Sequence, residues 1–571
     1  MSTAITGRRG RPGRPGSSTR RPGSSTRRRQ GASIRLGALG TVAALVLGVL
    51  AGCTDPGLGG GGDASTSPPA PSRPGTLRIL AGSELKDLEP LLPDLKKATG
   101  ITVTMSYTGT LDGADKILKG SADADAAWFS SDRYLRLLSG GAAKELVRTP
   151  VMLSPVVLGV RTPLAQQFGW TGTTKVSWGD VAAKVAAGQL TYAMTNPAAS
   201  NSGFSALVGV AAAFAGTSDA LQVSDIRAAP LTSFFGGQVL TAGSSGWLTD
   251  AFVKAPPATV GAMINYESVL LTLQQSGAAG PLTIIRPSDG VITADYPMAL
   301  LADNRRDEYT RVVSWLRSPA TQRRIQHDTS RRPVVPGVPL ESRFGTGTPL
   351  ELPFPATQQV ADRLLAAYFD EYRRPTHAIY VLDVSGSMEG DRLAALQQAL
   401  TGLTGADDSL AGRFARFRGR EHVTMITFSS AVTGTRDFII NDPSPGSADL
   451  KAITDFAGSL RANGNTAVYT ALDAAYTKAA QARKDEPNAL TSIVLMTDGE
   501  SNSGLDAGQF TGRYDARPAG ARAVRTFAVV FGEADRGALS AIATHTGGEV
   551  FDATAPGVSL SDVFREIRGY Q

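Results

Sequence analysis

The chain has 571 residues, 42% of them hydrophobic and 19% charged, which is enough apolar material for two or three cores of ordinary domain size. The net charge of +6 is confined to the N-terminal leader. Ten of the 57 basic residues lie in residues 1–52, which hold no acid, leaving 47 basic against 51 acidic residues, a net −4, in the rest. A basic face for nucleic acid is thereby excluded at the level of composition. A single cysteine, Cys53, and four histidines without an HExxH motif exclude a disulfide framework, a thiolate zinc cluster and an iron–sulfur site.

Residues 7–35 are mostly Arg, Pro, Gly and Ser, with RPGSSTR repeated at 14–20 and 21–27, a composition that cannot bury a core. The uncharged run 36–52 is short for a membrane span and reads as a signal-peptide core, with the basic stretch on the retained side. It ends in Leu50-Ala51-Gly52-Cys53, which resembles the lipobox of bacterial lipoproteins. The resemblance implies a leader over 1–53, diacylation of Cys53 Sγ, and anchoring to the extracytoplasmic face of the cell membrane. The Gly- and Pro-rich segment 54–75 is the expected linker.

From about 76 to 335 strands and helices alternate. TLRIL is a strand, and Leu85, Leu88, Leu91, Leu92 and Leu95 then recur at helical spacing up to Gly100. ITVTMSY and ADAAWF are the next strands, with GTLDGADKILKG between them as a helix, so the order predicts a parallel α/β sheet. The stretches ILAGSELKDL, YTGTLDGADKI, ADAAWFSSDRY, TNPAASNSGFSAL, INYESVLL and ADYPMALL resemble, in order and spacing, the extracellular solute-binding proteins that serve ABC importers. The resemblance implies a two-lobed, type 2 periplasmic-binding-protein-like domain. One lobe would be 76–155 plus about 286–335, the other about 156–285, with a cleft between them. Carried over by position, the cleft candidates are Ser83, Thr108, Ser200, Ser202, Tyr266 and Glu267. Hydroxyls and helix N-termini there suit a small polar or anionic solute.

Residues 336–376 read as a Pro/Gly connector followed by an amphipathic helix, with Val360, Leu364, Leu365 and Phe369 on one face. From 377 to 571 the strands AIYVL, SIVLM and FAVVF are apolar throughout, as strands covered on both faces are, and predict a doubly wound sheet. Asp383, Ser385 and Ser387 form DxSxS after the first strand. Thr466 lies in GNT before a helix, and Asp498 lies in TDG after a central strand. Together these motifs resemble the von Willebrand factor A (VWA) domain, a Rossmann-like fold, and its metal-ion-dependent adhesion site. The resemblance implies that these five residues hold Mg²⁺ or Mn²⁺, with Ca²⁺ a further candidate, and leave one position for a carboxylate of a protein partner. Two carboxylates and three hydroxyls are the oxygen donors such hard cations take. With no phosphate-binding loop and no nucleophile elbow, the sequence reads as a binding protein and not an enzyme. An importer receptor with an accessory VWA domain is the alternative.

Overall fold

The computed structural model describes residues 74–345 and 347–571. The signal sequence, the lipobox with Cys53 and nearly all of the linker lie outside the described residues.

The first sheet runs Ile101–Thr108, Gly75–Gly82, Ala126–Trp128, Pro297–Leu300, Val147–Pro150; the first three strands are parallel and the last two antiparallel to their neighbours. The predicted first helix is two pieces, a 3₁₀ segment Ser83–Leu91 and an α-helix Leu92–Thr99. Pro90 and Pro93 are the reason: neither supplies an amide N–H, and Pro93 is tolerated because it sits in the first helical turn. Gly100 closes the helix in the left-handed conformation, φ 74°, as the sequence suggests.

The second sheet is built on Met152–Arg161. Ala262–Tyr266, Leu282–Ile285, Thr293–Ala294 and Arg332–Pro333 all pair antiparallel to it, and Tyr192–Thr195 and Gln238–Ala242 extend the sheet. Because Met152–Arg161 is one unbroken strand, the chain enters the second lobe at 152, earlier than expected. It returns to the first sheet only at Pro297. Against this sheet packs Asn201–Ala215, buried along most of its length, which explains its lack of a polar face.

The connector is welded to the second lobe. Val291 bridges Glu351 and Leu221 bridges Pro355. Thr357 caps the helix Gln358–Ala367, which continues to Tyr372 and buries Val360, Leu364, Leu365 and Phe369. Tyr368 packs edge-on against Phe235, and its hydroxyl donates to Gln238 Oε1 at 2.8 Å. The third sheet begins at Thr376, four residues after the helix ends at Tyr372.

That sheet has the order Val432–Ile440, Glu421–Phe428, Thr376–Asp383, Leu490–Thr497, Arg525–Val530, Val550–Asp552, all parallel except the first, an edge strand. Its two apolar faces are covered by separate clusters, one around Leu396, Ile453 and Phe564, the other around Leu472, Tyr476 and Ile542. The expected double winding is present. Both modules belong to one compact unit.

Candidate functional site

Parallel strands present all their C-terminal ends at one edge. Thr376–Asp383 and Leu490–Thr497 are direct neighbours in register, Leu382 beside Met496, so Asp383 and Asp498 emerge side by side from strands 114 residues apart in sequence. Both are fully buried, as is Ser385, whereas Ser387 is exposed. Asp383 Oδ1 accepts from the Ser385 amide at 2.8 Å and Oδ2 from the Thr497 hydroxyl at 2.5 Å. Ser385 Oγ lies 3.1 Å from Ser387 Oγ, which donates to Asp498 Oδ1 at 2.8 Å. Thr466 reaches the same place: a Cβ on Gly499 would be 3.7 Å from Ser387 Oγ and 4.0 Å from Thr466 Oγ1. All five residues singled out in the sequence are thus brought to one edge of one sheet.

Burial pushes the Asp383 carboxyl above its ordinary range, and the adjacent Asp498 adds to that. Two carboxylates and three hydroxyls, with no nitrogen or sulfur among them, form a donor set that fits a hard divalent cation. Asp383 has both oxygens engaged within the sheet edge, by Ser385 and Thr497, whereas the Asp498 oxygens are held by the exposed Ser387 and the partly exposed Arg392.

Three further contributors were not singled out from the sequence, although Thr497 belongs to the TDG motif itself. Thr497 orients Asp383. Asn502 clamps the Thr466 loop, accepting from the Thr466 amide through Oδ1 at 2.8 Å and donating its own amide to Thr466 O at 2.9 Å. Arg392 Nη1 donates to Asp498 Oδ2 at 2.8 Å. Gly532, at φ 57°, lets the next strand end close over this pair, since a Cβ there would stand 3.1 Å from both Asp498 Cβ and Arg392 Cζ.

In the first module a cavity of about 600 Å³ lies at the ends of the strands. Ser83, Thr108 and Ser200 line it, with Asn201 and Ser244 beside them. The other three cleft candidates do not line it. Ser202 is buried behind Ser200, with Oγ at 2.8 Å from Thr195 Oγ1 and 3.0 Å from Ser245 Oγ. Tyr266 is buried and donates to Ser130 Oγ at 2.8 Å, and burial pushes its phenol up. Glu267, fully buried, is gripped by Arg332 through Nε at 2.6 Å and Nη2 at 2.9 Å, and by Arg286 at 2.5 Å. A carboxylate so neutralised is a brace between the second lobe and the return strand.

The far wall of the cavity comes from the second module. Asp562, Arg565, Glu566, Arg568 and Tyr570 of the C-terminal helix and tail face it. Asn196 Nδ2 donates to Arg568 O at 3.3 Å, Arg565 Nε lies 3.8 Å from Asp112, and the Tyr570 ring sits edge-on to Trp247 at 5.0 Å. Gly243 makes the contact possible, since a Cβ there would be 2.6 Å from the Tyr570 ring.

The profile of the bacterial extracellular solute-binding proteins matches residues 77–328, and that of the von Willebrand factor type A domain matches residues 379–566. Among solved structures, the periplasmic binding protein AfuA from Actinobacillus pleuropneumoniae is 13% identical (52% of this chain, 98% of that chain, TM-score 0.40). The sulfate-binding protein SubI from Mycobacterium tuberculosis H37Rv is 18% identical (50% and 98%, TM-score 0.39). A von Willebrand factor type A protein from Catenulispora acidiphila is 17% identical (35% and 43%, TM-score 0.28). No match was found among curated proteins. The sheet topology and the two profiles agree on an α/β fold in both modules, a two-lobed periplasmic-binding-protein-like domain and a doubly wound domain. The chain thus carries a region that matches the extracellular solute-binding profile followed by one that matches the VWA profile. Among the described residues no helix is long and apolar enough to cross a membrane.

Proposed function

We propose that this is an extracytoplasmic binding protein, lipid-anchored through Cys53, whose VWA domain holds Mg²⁺ or Mn²⁺ and through it a carboxylate of a protein partner. The observation that carries the reading is the convergence of Ser385, Ser387, Thr466 and Asp498 around the buried Asp383 at one sheet edge. When bound, the cation supplies a Lewis-acidic position for an incoming carboxylate. Ser385, Ser387 and Asp498 would hold it, and Asp383 and Asn502 keep the two contributing loops in place. No group here is positioned as a general base, so the reading is of a clamp and not a catalyst.

Calorimetric titration of Mg²⁺ and Mn²⁺ into the chain, beside Asp498→Ala, tests it. One saturable site lost in the variant is expected. A wild-type protein that takes up neither ion sinks the reading.

The hydroxyl-lined cavity favours a second, compatible role for the first module, binding of a small polar solute, as in an importer receptor. A solute that raises the melting temperature of the protein, and loses that effect in Thr108→Val, would support it.

A further inference from the structure

At the opposite end of the VWA sheet, His377 and His422 begin neighbouring strands and lie side by side in register, their rings stacked at 3.8 Å. Glu486, just past the end of the helix Val468–Asp485, faces both. His377 is 1% exposed, and its Nδ1 has no hydrogen-bond partner.

The proton inventory of His377 makes this notable. Its Nε2 is 2.9 Å from Thr424 Oγ1, whose hydroxyl donates to Asp437 Oδ1 at 2.6 Å, so Nε2 carries the proton and Thr424 accepts it. With its proton on Nε2, the neutral imidazole has a bare lone pair at Nδ1. That lone pair stands 3.4 Å from Glu486 Oε2. A lone pair facing a carboxylate oxygen is repulsive unless a cation lies between them. Two ligand atoms about 2.0–2.1 Å from a tetrahedral zinc are about 3.3–3.4 Å apart.

His422 is the reverse case in the metal-free chain, with Nδ1 hydrogen-bonded to Glu486 and Nε2 without a hydrogen-bond partner. Its Nδ1 is 2.6 Å from Glu486 Oε1, and its Nε2 is 3.3 Å from Asp437 Oδ1. A metal at Nδ1 would replace the proton of that bond and leave one on Nε2, near enough to Asp437 for the carboxylate–histidine–metal relay that orients ligating imidazoles to form as the ring turns. Asp437 thereby serves both rings, and Lys478 Nζ holds its other oxygen at 2.8 Å. His422, Glu486 and Asp437 are partly exposed, which gives an ion a way in.

We propose that His377 Nδ1, His422 Nδ1 and the Glu486 carboxylate form a second metal site, for a zinc-class divalent ion, at the end of the VWA domain away from Asp383. The imidazole-rich donor set selects against Mg²⁺ and for Zn²⁺, so the two ends of one sheet take different ions. The partly exposed His422 ring turns out of its stack to complete the set, and water takes the fourth position.

The test is uptake of Zn²⁺, and of Co²⁺ as its coloured substitute, by the full chain in excess Mg²⁺. One Co²⁺ per chain with the intense visible absorption of a tetrahedral site is expected. Glu486→Gln, at a partly exposed position that leaves the fold intact, should weaken Zn²⁺ binding at least tenfold and abolish the colour. His422→Gln should do the same, and Asp383→Ala should leave both unchanged. No uptake by the wild type overturns the proposal. So does uptake that survives Glu486→Gln and His422→Gln, or uptake that disappears with Asp383→Ala.

Discussion

Arg392 and Ser387 divide the Asp498 carboxylate between them: Nη1 of the arginine donates to Oδ2 at 2.8 Å while the serine hydroxyl donates to Oδ1 at 2.8 Å. The guanidinium therefore occupies part of the negative charge that a divalent cation at this edge would use. Its side chain is 32% exposed while Asp498 is fully buried, so the pair stands at the upper end of the surface range, about 1 kcal/mol. Arg392→Ala should accordingly tighten Mg²⁺ and Mn²⁺ by about two- to fivefold, read by calorimetry beside the wild type. Weaker binding in the variant would instead make Arg392 the group that aims Asp498.

Glu421 opens the strand Glu421–Phe428 and is fully enclosed by two arginines. Arg568 Nη2 reaches both its oxygens at 2.7 Å, and Arg373 Nη2 reaches Oε1 at 2.5 Å. Burial alone would raise its pKa, but the two guanidiniums outweigh that and hold it below the ordinary carboxylate range. Glu421→Ala leaves two buried cations without their counter-ion and should cost about 3–5 kcal/mol. The pH dependence has a definite sign. A depressed carboxylate stabilises the fold fully above its unfolded value, near about 4.3, and the contribution is lost as pH falls through the lower folded value. Melting temperatures taken from pH 7 down to pH 3 should fall more steeply for the wild type than for Glu421→Gln, which is less stable throughout but has no such proton to take up.

The five residues at the sheet edge were readable because each sits in a short local motif, at a strand end for Asp383, Ser385, Ser387 and Asp498 and before a helix for Thr466. Arg392 was not, because its pairing with Asp498 spans 106 residues and leaves no periodicity. Glu267 misled for a physical reason. A carboxylate at the start of a helix after a central strand looks alike whether it faces a cleft or, as here, Arg286 and Arg332 from later in the chain. The alternation of strand and helix disclosed both modules, yet nothing in it could show that the tail of the second closes over the cleft of the first. That contact depends on Gly243 being small and on Trp247 being partly exposed, and neither carries a pattern. The 3₁₀ segment at Ser83–Leu91 was missed because the leucine spacing was read and the two prolines at 90 and 93, which break it, were not.

The apolar joint between the modules should make them unfold together. Trp247 of the first touches Tyr570 at 5.0 Å and Phe527 at 6.0 Å, and Tyr570 also meets Phe551 at 5.1 Å. The connector adds the buried Tyr368 and Tyr372 on the other side. Inter-domain contacts that are large and apolar couple the melting of their partners. Wild-type protein should therefore show one calorimetric transition. Tyr570→Ala, which removes about 2–4 kcal/mol of packing, should split it in two. A wild type that already melts in two steps would mean that the joint is not cooperative.

The same roof decides what the cavity can accept. Asp112 from the first module and Glu566 from the second both face it, and burial pushes both carboxyls above their ordinary range. Arg565, which would offset them, is shared with Asp407 at 2.7 Å and Asp562 at 2.5 Å. An anionic solute thus enters against two carboxylates at neutral pH and against fewer charges as they take up protons. Its melting-temperature shift should grow from pH 8 to pH 5, whereas that of a neutral polar solute should stay flat. Asp112→Asn should strengthen an anion's shift at pH 8 and bring its pH profile closer to the neutral one. An anion whose shift is larger at pH 8 than at pH 5 would show that the serine and threonine hydroxyls at 83, 108 and 200, with Lys116 and Arg568, outweigh the acidic wall.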